Sequence, residues 1–209
     1  FGKVKIEMVN DLLGDLSWEE KFNYYLPFTT YHQRWQELEN FDFHNKPYLK
    51  GSIMNAGVYP LEDPGLPQEA GEIPESGYVY LEKIRELCEA EGIQLVMFCT
   101  PFGIDEGEEG YMRKQRTMLA AEEYAKAHDI PFLFLQKMEE AGIDLSVDLF
   151  DFGHLNVYGA EKSTKTIGKY LVQEFGLESH KGQEGYESWD EDYALYLRDY
   201  TEMTAQQEG

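Results

Sequence analysis

Two short apolar runs decide the fold class: Ile93-Gln94-Leu95-Val96-Met97-Phe98-Cys99, ending at Pro101, and Pro131-Phe132-Leu133-Phe134-Leu135. Each is too short for a helix, is bounded by breakers and is apolar at nearly every position, as in a strand buried on both faces. Between them lie a loop from Gly103 to Gly107 and a helical stretch from Glu108 to His128, with Glu122, Glu123 and Lys126 on its solvent side. Before them, Ser76 is placed to cap a helix with the apolar face Leu81, Ile84, Leu87 and Cys88, which Gly92 stops. Helix, strand, helix, strand with short connections predicts a parallel sheet covered on both sides, an α/β three-layer sandwich.

Toward the C-terminus, an irregular stretch from Asp144 to Tyr158 leads into a helix with Ala160, Thr164, Ile167, Leu171 and Phe175 on one face and Gly176 as its stop. Beyond Leu177 there are nine acidic and two basic residues, but Trp189, Tyr193, Tyr196, Tyr200 and Met203 recur at helical spacing. That stripe predicts an amphipathic helix that docks on something, and makes it a candidate contact for a protein partner. Toward the N-terminus, residues 60–77 hold four prolines, three glycines and five acidic residues with no basic one, which predicts a long exposed loop. Ser17 and Glu20 form a capping box ahead of Trp18, Phe22 and Tyr25, with Pro27 as a break. Phe28, Tyr31, Trp35 and Leu38 predict a second helix, and residues 41–59 carry no strong period. Residues 1–16 enter the helical pattern without a start signal, like a chain cut from something longer. The organisation expected is therefore a helical segment (1–59), an acidic loop (60–77), an α/β core (78–176) and an acidic tail (177–209).

Among the 209 residues, 18 Lys and Arg face 40 Asp and Glu, a formal charge of -22. A hydrophobic fraction of 42%, with 14% aromatic, excludes a disordered acidic tail. Phosphate binding needs clustered Lys and Arg, so nucleic acid and anionic lipid are poor partners for this chain. No apolar run approaches the ~20 residues of a membrane span, and the first residues do not have the pattern of a signal peptide. Cys88 and Cys99 fit no disulfide framework and no metal pattern; both read as buried free thiols, although a bridge between them is geometrically conceivable.

The segment with chemical content is Asp151-Phe152-Gly153-His154-Leu155-Asn156, between the sheet region and a helix. In open α/β sheets, reacting groups collect at the carboxyl ends of strands. An Asp three residues before a His can hold one imidazole nitrogen, fix the tautomer and leave the other as a general base. The bland alternative is that Asp151 caps the loop and His154 is a half-buried polar residue. A cation site from Asp148, Asp151 and His154 is conceivable, but no second His arrives at ligand spacing. The acidic loop from Glu62 to Glu75 lacks the alternating ligands of a calcium loop. His32, beside Arg34 and Trp35, is a candidate sugar contact against the plainer reading of Trp35 as core. His44, His128 and His180 stand alone, with His128 at a helix end where a cation is favoured.

The block Asp151-Phe152-Gly153-His154-Leu155-Asn156-Val157-Tyr158-Gly159-Ala160-Glu161-Lys162 resembles the last sequence block of SGNH/GDSL hydrolases, and is most similar to the branch in bacterial cell-envelope proteins. Leu81 to Pro101, ending Phe98-Cys99-Thr100-Pro101-Phe102, resembles the late βαβ unit of that branch, and Tyr31-His32-Gln33-Arg34-Trp35 its Tyr-His-x-Arg-Trp segment. The resemblance implies a flavodoxin-like sandwich, incomplete at its N-terminal side. It implies His154 as general base, Asp151 as its orienter and a serine that forms an acyl-enzyme, without metal or organic cofactor. The implied substrate is an acyl ester, chiefly acetyl, on an envelope or exported polysaccharide. The implied place is the extracytoplasmic envelope, with membrane attachment only through a missing N-terminal anchor. The early Gly-Asp-Ser-like block and the oxyanion-hole blocks are not recognisable here. Gly51-Ser52 is the only Gly-Ser pair, and it follows Tyr48-Leu49-Lys50 rather than a buried strand, so the nucleophile is expected outside this chain. The competing expectations are a non-catalytic envelope or assembly protein that kept the fold, and a metal-dependent hydrolase.

Overall fold

The computed structural model describes residues 3–25, 48–104 and 107–205. The chain divides into two compact units, one of residues 1–47 and 74–83, the other of residues 48–73 and 84–209. The predicted helix through Phe28, Tyr31, Trp35 and Leu38 lies outside the described residues, as do His32 and His44.

In the first unit, helix α1 (Lys3–Leu12) precedes α2 (Trp18–Tyr25). The capping box is formed: the Glu20 carboxylate accepts from the Ser17 amide (2.9 Å) and hydroxyl (2.6 Å), and Ser17 Oγ accepts from the Glu20 amide (3.3 Å). Val9 and Tyr25 are buried, and the Tyr25 hydroxyl donates to Asn10 Oδ1 at 2.7 Å. Trp18 lies against the Tyr25 ring at 5.7 Å but remains exposed. Residues 3–12, which carry no start signal, are helical and pack against α2.

Helix α3 (Glu75–Glu91) starts earlier than the sequence suggests. The Pro74 carbonyl takes the Tyr78 amide (2.9 Å), so Ser76 sits inside the first turn and is not the cap. Proline at the threshold loses nothing, because its missing N–H has no intrahelical partner there. Gly92, at φ +65°, stops the helix as expected, and the Ile93 amide reaches back to the Cys88 carbonyl at 2.7 Å.

The second unit holds a parallel βαβ arrangement. Strand β1 (Met97–Cys99) leads through α4 (Gly107–Ala127) to β2 (Phe132–Phe134), with Met97 opposite Phe132, Phe98 opposite Leu133 and Cys99 opposite Phe134. The core gathers on β2 and α4: Leu133, Phe134, Leu135, Tyr111, Ala121, Tyr124 and Ala125 are buried. The protein is therefore mixed α/β and rich in helix, with a two-stranded parallel sheet among the described residues.

Burial on both sides of β1 is not what the structure shows. Successive strand residues face opposite sides; Cys99 is buried, whereas Phe98 is 53% exposed. Helix α3 likewise buries none of its residues, and Ile84 and Leu87 stand open to solvent. Cys88 and Cys99 are both free; Cys99 is buried and Cys88 half-buried, and burial pushes the Cys99 thiol up to about 12.

After β2, a 3-10 turn (Glu139–Ala141) precedes α5 (Val157–Phe175), which Gly176 ends at φ +63°, and α6 (Glu187–Ala205) forms the tail. The long loop ends at Pro74 rather than Gly77, and residues 48–59 belong with the α/β core rather than with the N-terminal helices. Nor does the loop hang free: the Gly71 amide bonds the Arg116 carbonyl of α4 at 2.9 Å. The tail is part of the same unit, and polar groups at its Tyr200 and Asp199 bond the rest of that unit, while Trp189 and Tyr193 stay about half exposed. The Tyr200 hydroxyl donates to Glu161 Oε2 of α5 (2.9 Å), and the Tyr48 hydroxyl bonds Asp199.

Candidate functional site

A small hairpin carries Asp151 and His154. Leu149 and Leu155 form an antiparallel bridge, and the Phe150 amide donates to the His154 carbonyl at 3.0 Å. The Gly103 amide, in the loop that follows β1, donates to the Phe152 carbonyl at 2.7 Å. The hairpin thus sits beyond the carboxyl end of a parallel strand, the position that favours reacting groups.

Within the hairpin, Asp151 Oδ1 accepts the Gly153 and His154 amides, each at 2.8 Å, which closes a tight turn. The same carboxylate meets His154 Nδ1 at 3.0 Å from Oδ1 and 2.9 Å from Oδ2. An ionised carboxylate only accepts, so Nδ1 carries a proton, and in the neutral ring Nε2 is the nitrogen with the free lone pair. Burial works to raise the Asp151 carboxyl, but the Gly153 amide, the His154 ring and the His154 amide outweigh it and hold it below the usual carboxylate range. The imidazole lies over the Phe150 ring at 5.5 Å, nearly parallel, and its side chain is 71% exposed. Asp151 thus caps the loop as the plainer reading expects, whereas His154 is exposed rather than half-buried. The arrangement is an oriented imidazole on an exposed side chain, a geometry that a general base could use.

The residues around the pair build the hairpin. Asn156, 1% exposed, caps α5 by accepting the Tyr158 (3.0 Å) and Gly159 (3.1 Å) amides. Its amide donates to the Val147 (2.7 Å), Gly57 (3.2 Å) and Leu149 (3.4 Å) carbonyls. Asp148 is fully buried and takes both oxygens to Lys162 Nζ (2.7 and 2.9 Å) and Oδ2 to the Asp144 amide (2.7 Å). At Gly159 a Cβ would lie 2.3 Å from the Asp148 carbonyl oxygen, so only glycine admits this approach. Residues 55–61 run alongside the hairpin. The Asn55 carbonyl accepts the Val157 amide (2.8 Å), and the Tyr59 and Leu61 amides reach the Leu149 (2.8 Å) and Leu145 (3.2 Å) carbonyls.

Other candidates fall elsewhere. Asp148, conceived as a third cation ligand with Asp151 and His154, turns away from them to Lys162. Among the described residues, no three His, Cys, Asp or Glu side chains are grouped to hold a metal ion. The Ser52 hydroxyl donates to the Leu49 carbonyl (2.8 Å) in a turn, not at a strand end, and no serine hydroxyl among the described residues bonds His154. His180 pairs with Gln183 at 3.0 Å and stacks on Tyr186. His128 follows the last turn of α4, its ring 4.6 Å from Tyr124. No helix among the described residues is long and apolar enough to cross a membrane.

The sequence pattern assigns no role to Asn156, Gly159 or Lys162, and it offers Asp148 only as a cation ligand, not as the buried partner of Lys162. The spacing of Asn, Gly and Lys after the His is their signal, since it places three special residue types on the first turns of one helix. A comparison with family models, curated proteins and solved structures found no match for the chain.

Proposed function

We propose that this chain is the base-bearing part of an SGNH-like serine esterase or O-acyltransferase that acts on acyl esters, chiefly acetyl, of an envelope or exported polysaccharide. The observation that carries the reading is the bond from His154 Nδ1 to Asp151 at 2.9 Å, with Nε2 left open beyond the end of β1. His154 removes the proton from a serine hydroxyl, Asp151 stabilises the imidazolium that forms, and the acyl-enzyme passes its acyl group to water or a sugar hydroxyl. The serine and its oxyanion donors come from outside these residues, because no serine described here reaches the imidazole. The three-layer sandwich, the extracytoplasmic location and the absence of any need for a metal belong to the same proposal.

The second reading, a non-catalytic envelope or assembly protein that keeps the fold, is favoured by that same missing serine contact. Fluorophosphonate labelling with mass-spectrometric location of the adduct separates the two. The esterase reading expects labelling of a serine in the natural protein, lost with His154→Ala and absent from the 209-residue chain. Labelling of Ser52 would place the nucleophile within this chain, and no labelling in either form would leave the scaffold.

A further inference from the structure

Helix α6 is held along its length by polar contacts. Lys50 pairs with Asp192 at 2.5 Å and lies 4.3 Å over the Trp189 ring, Tyr48 bonds Asp199, and Tyr200 bonds Glu161. Between these anchors, α6 does not close on α5. A half-open recess of about 480 Å³ remains, with Ile53, Met54, Val157, Ala160, Tyr196 and Leu197 among its lining. Well-packed protein leaves few voids larger than a water molecule, and pockets of several hundred Å³ with mainly apolar walls are the usual form of a small-molecule site.

The walls restrict the chemistry of the occupant. The charged groups on the lining, Glu161 and Lys165, neutralise each other at 2.5 Å. The Tyr200 phenol, raised to about 12 by burial and by the neighbouring Glu161, is neutral. An anion would gain no unpaired cation there and would approach a chain of net charge -22. An oligosaccharide needs partners for many hydroxyls, but the lining amide of Asn156 is already committed to three carbonyls and to the cap of α5. Apart from the scattered hydroxyls of Ser52, Thr164, Tyr193 and Tyr196, the surface on offer is aliphatic and ring carbon.

We infer that the recess between α5 and α6 binds an uncharged ligand with an aliphatic chain, such as a neutral acyl ester. The inference stands on the recess alone and holds whether or not His154 is a catalytic base.

Calorimetric titration of the 209-residue chain with 1-acylglycerols of four to eight carbons, below their micellar concentrations, tests it. Affinity rises by up to about fourfold per added methylene until the recess is full. Ala160→Trp, which fills the space, weakens binding of 1-octanoylglycerol at least tenfold. So does Leu197→Asp, at a position 44% exposed and therefore tolerant of the charge in folding. Leu87→Gln, at an exposed apolar site elsewhere in the same unit, leaves binding unchanged. Octanoate binding as tightly as its neutral glyceride, maltohexaose binding in preference to both, absence of any chain-length dependence, or indifference to the Leu197→Asp change would each overturn the inference.

Discussion

The hairpin that carries Asp151 and His154 and the exposed apolar residues of α3 and β1 differ in how they are supported. In the hairpin, Leu145 and Leu149 are buried, and the neighbouring Asp148 and Asn156 have their polar groups bonded. On α3 and β1, Ile84, Leu87 and Phe98 stand between about half and three-fifths exposed. A polar side chain with several partners fixes geometry, because removing it orphans all of them at once. An apolar side chain in water fixes nothing. The chain therefore surrounds the Asp151–His154 turn with buried, fully bonded neighbours while leaving Phe98 of β1 and Ile84 and Leu87 of α3 open to solvent.

The contrast can be tested from its strongest point. Lys162→Met leaves the Asp148 carboxylate buried without its cation, a loss of about 3 kcal/mol in urea unfolding. The lower end of the range for a broken buried pair applies because the Lys162 side chain is 38% accessible. Adding Asp148→Leu to that variant removes the orphaned charge and recovers part of the loss. If Lys162→Met alone costs under 1 kcal/mol, the hairpin is not anchored through this pair. Next comes Gly159→Ala, whose new methyl meets the Asp148 backbone at 2.3 Å and costs about 2 kcal/mol by the same assay. Because the displaced atom belongs to the strand of the hairpin, this variant also shifts the amide resonances of Gly153 and His154.

How much of this was legible in the sequence follows from the range of each interaction. The capping box at Ser17, the stops at Gly92 and Gly176, and the turn closed by Asp151 act within a few residues, and the local pattern shows them. The paired strands were legible as apolar runs, but their length was overstated: the ladder covers Met97–Cys99 and Phe132–Phe134. The Asp148–Lys162 pair spans fourteen positions, and the strip 55–61 meets residues 145–157 from the other half of the chain. No period in the sequence encodes such partners. Burial of α3 and β1 was inferred from composition, but composition reports only that a face is apolar, not whether another element lies on it.

A smaller effect concerns the imidazole rather than the fold. Asp151→Asn replaces an acceptor-only group with an amide that accepts or donates, so Nδ1 is no longer obliged to carry the proton. Nitrogen-15 shifts of His154 should move from a predominant Nδ1–H form toward a mixture, with a change in stability under about 1 kcal/mol. In the wild type the Asp151 carboxyl is depressed, so its bonds to the turn contribute above the ordinary carboxylate pKa of about 3.9. They are lost as pH falls through the lower folded value. The hydrogen bond from Nδ1–H to Asp151 should accordingly persist on acidification past pH 4 to the point where Asp151 protonates; loss of the pairing while this carboxylate is still ionised would contradict the geometry.

The smallest expected change is the one that most sharpens the contrast. Leu87→Gln keeps a good helix former at a position 59% exposed, and Phe98→Thr keeps a β-favouring residue at one 53% exposed. With no burial to lose, each should alter the unfolding free energy by no more than about 0.5 kcal/mol. A side chain of that size buried against another element would cost about 2 kcal/mol or more on the same change. The two outcomes are far enough apart for urea titration to separate. A large loss at Phe98 alone would mean that β1 has a neighbour in solution on its exposed side. A large loss at both positions would mean that each is covered in solution, and the difference between the hairpin and these residues would then be one of partner rather than of construction.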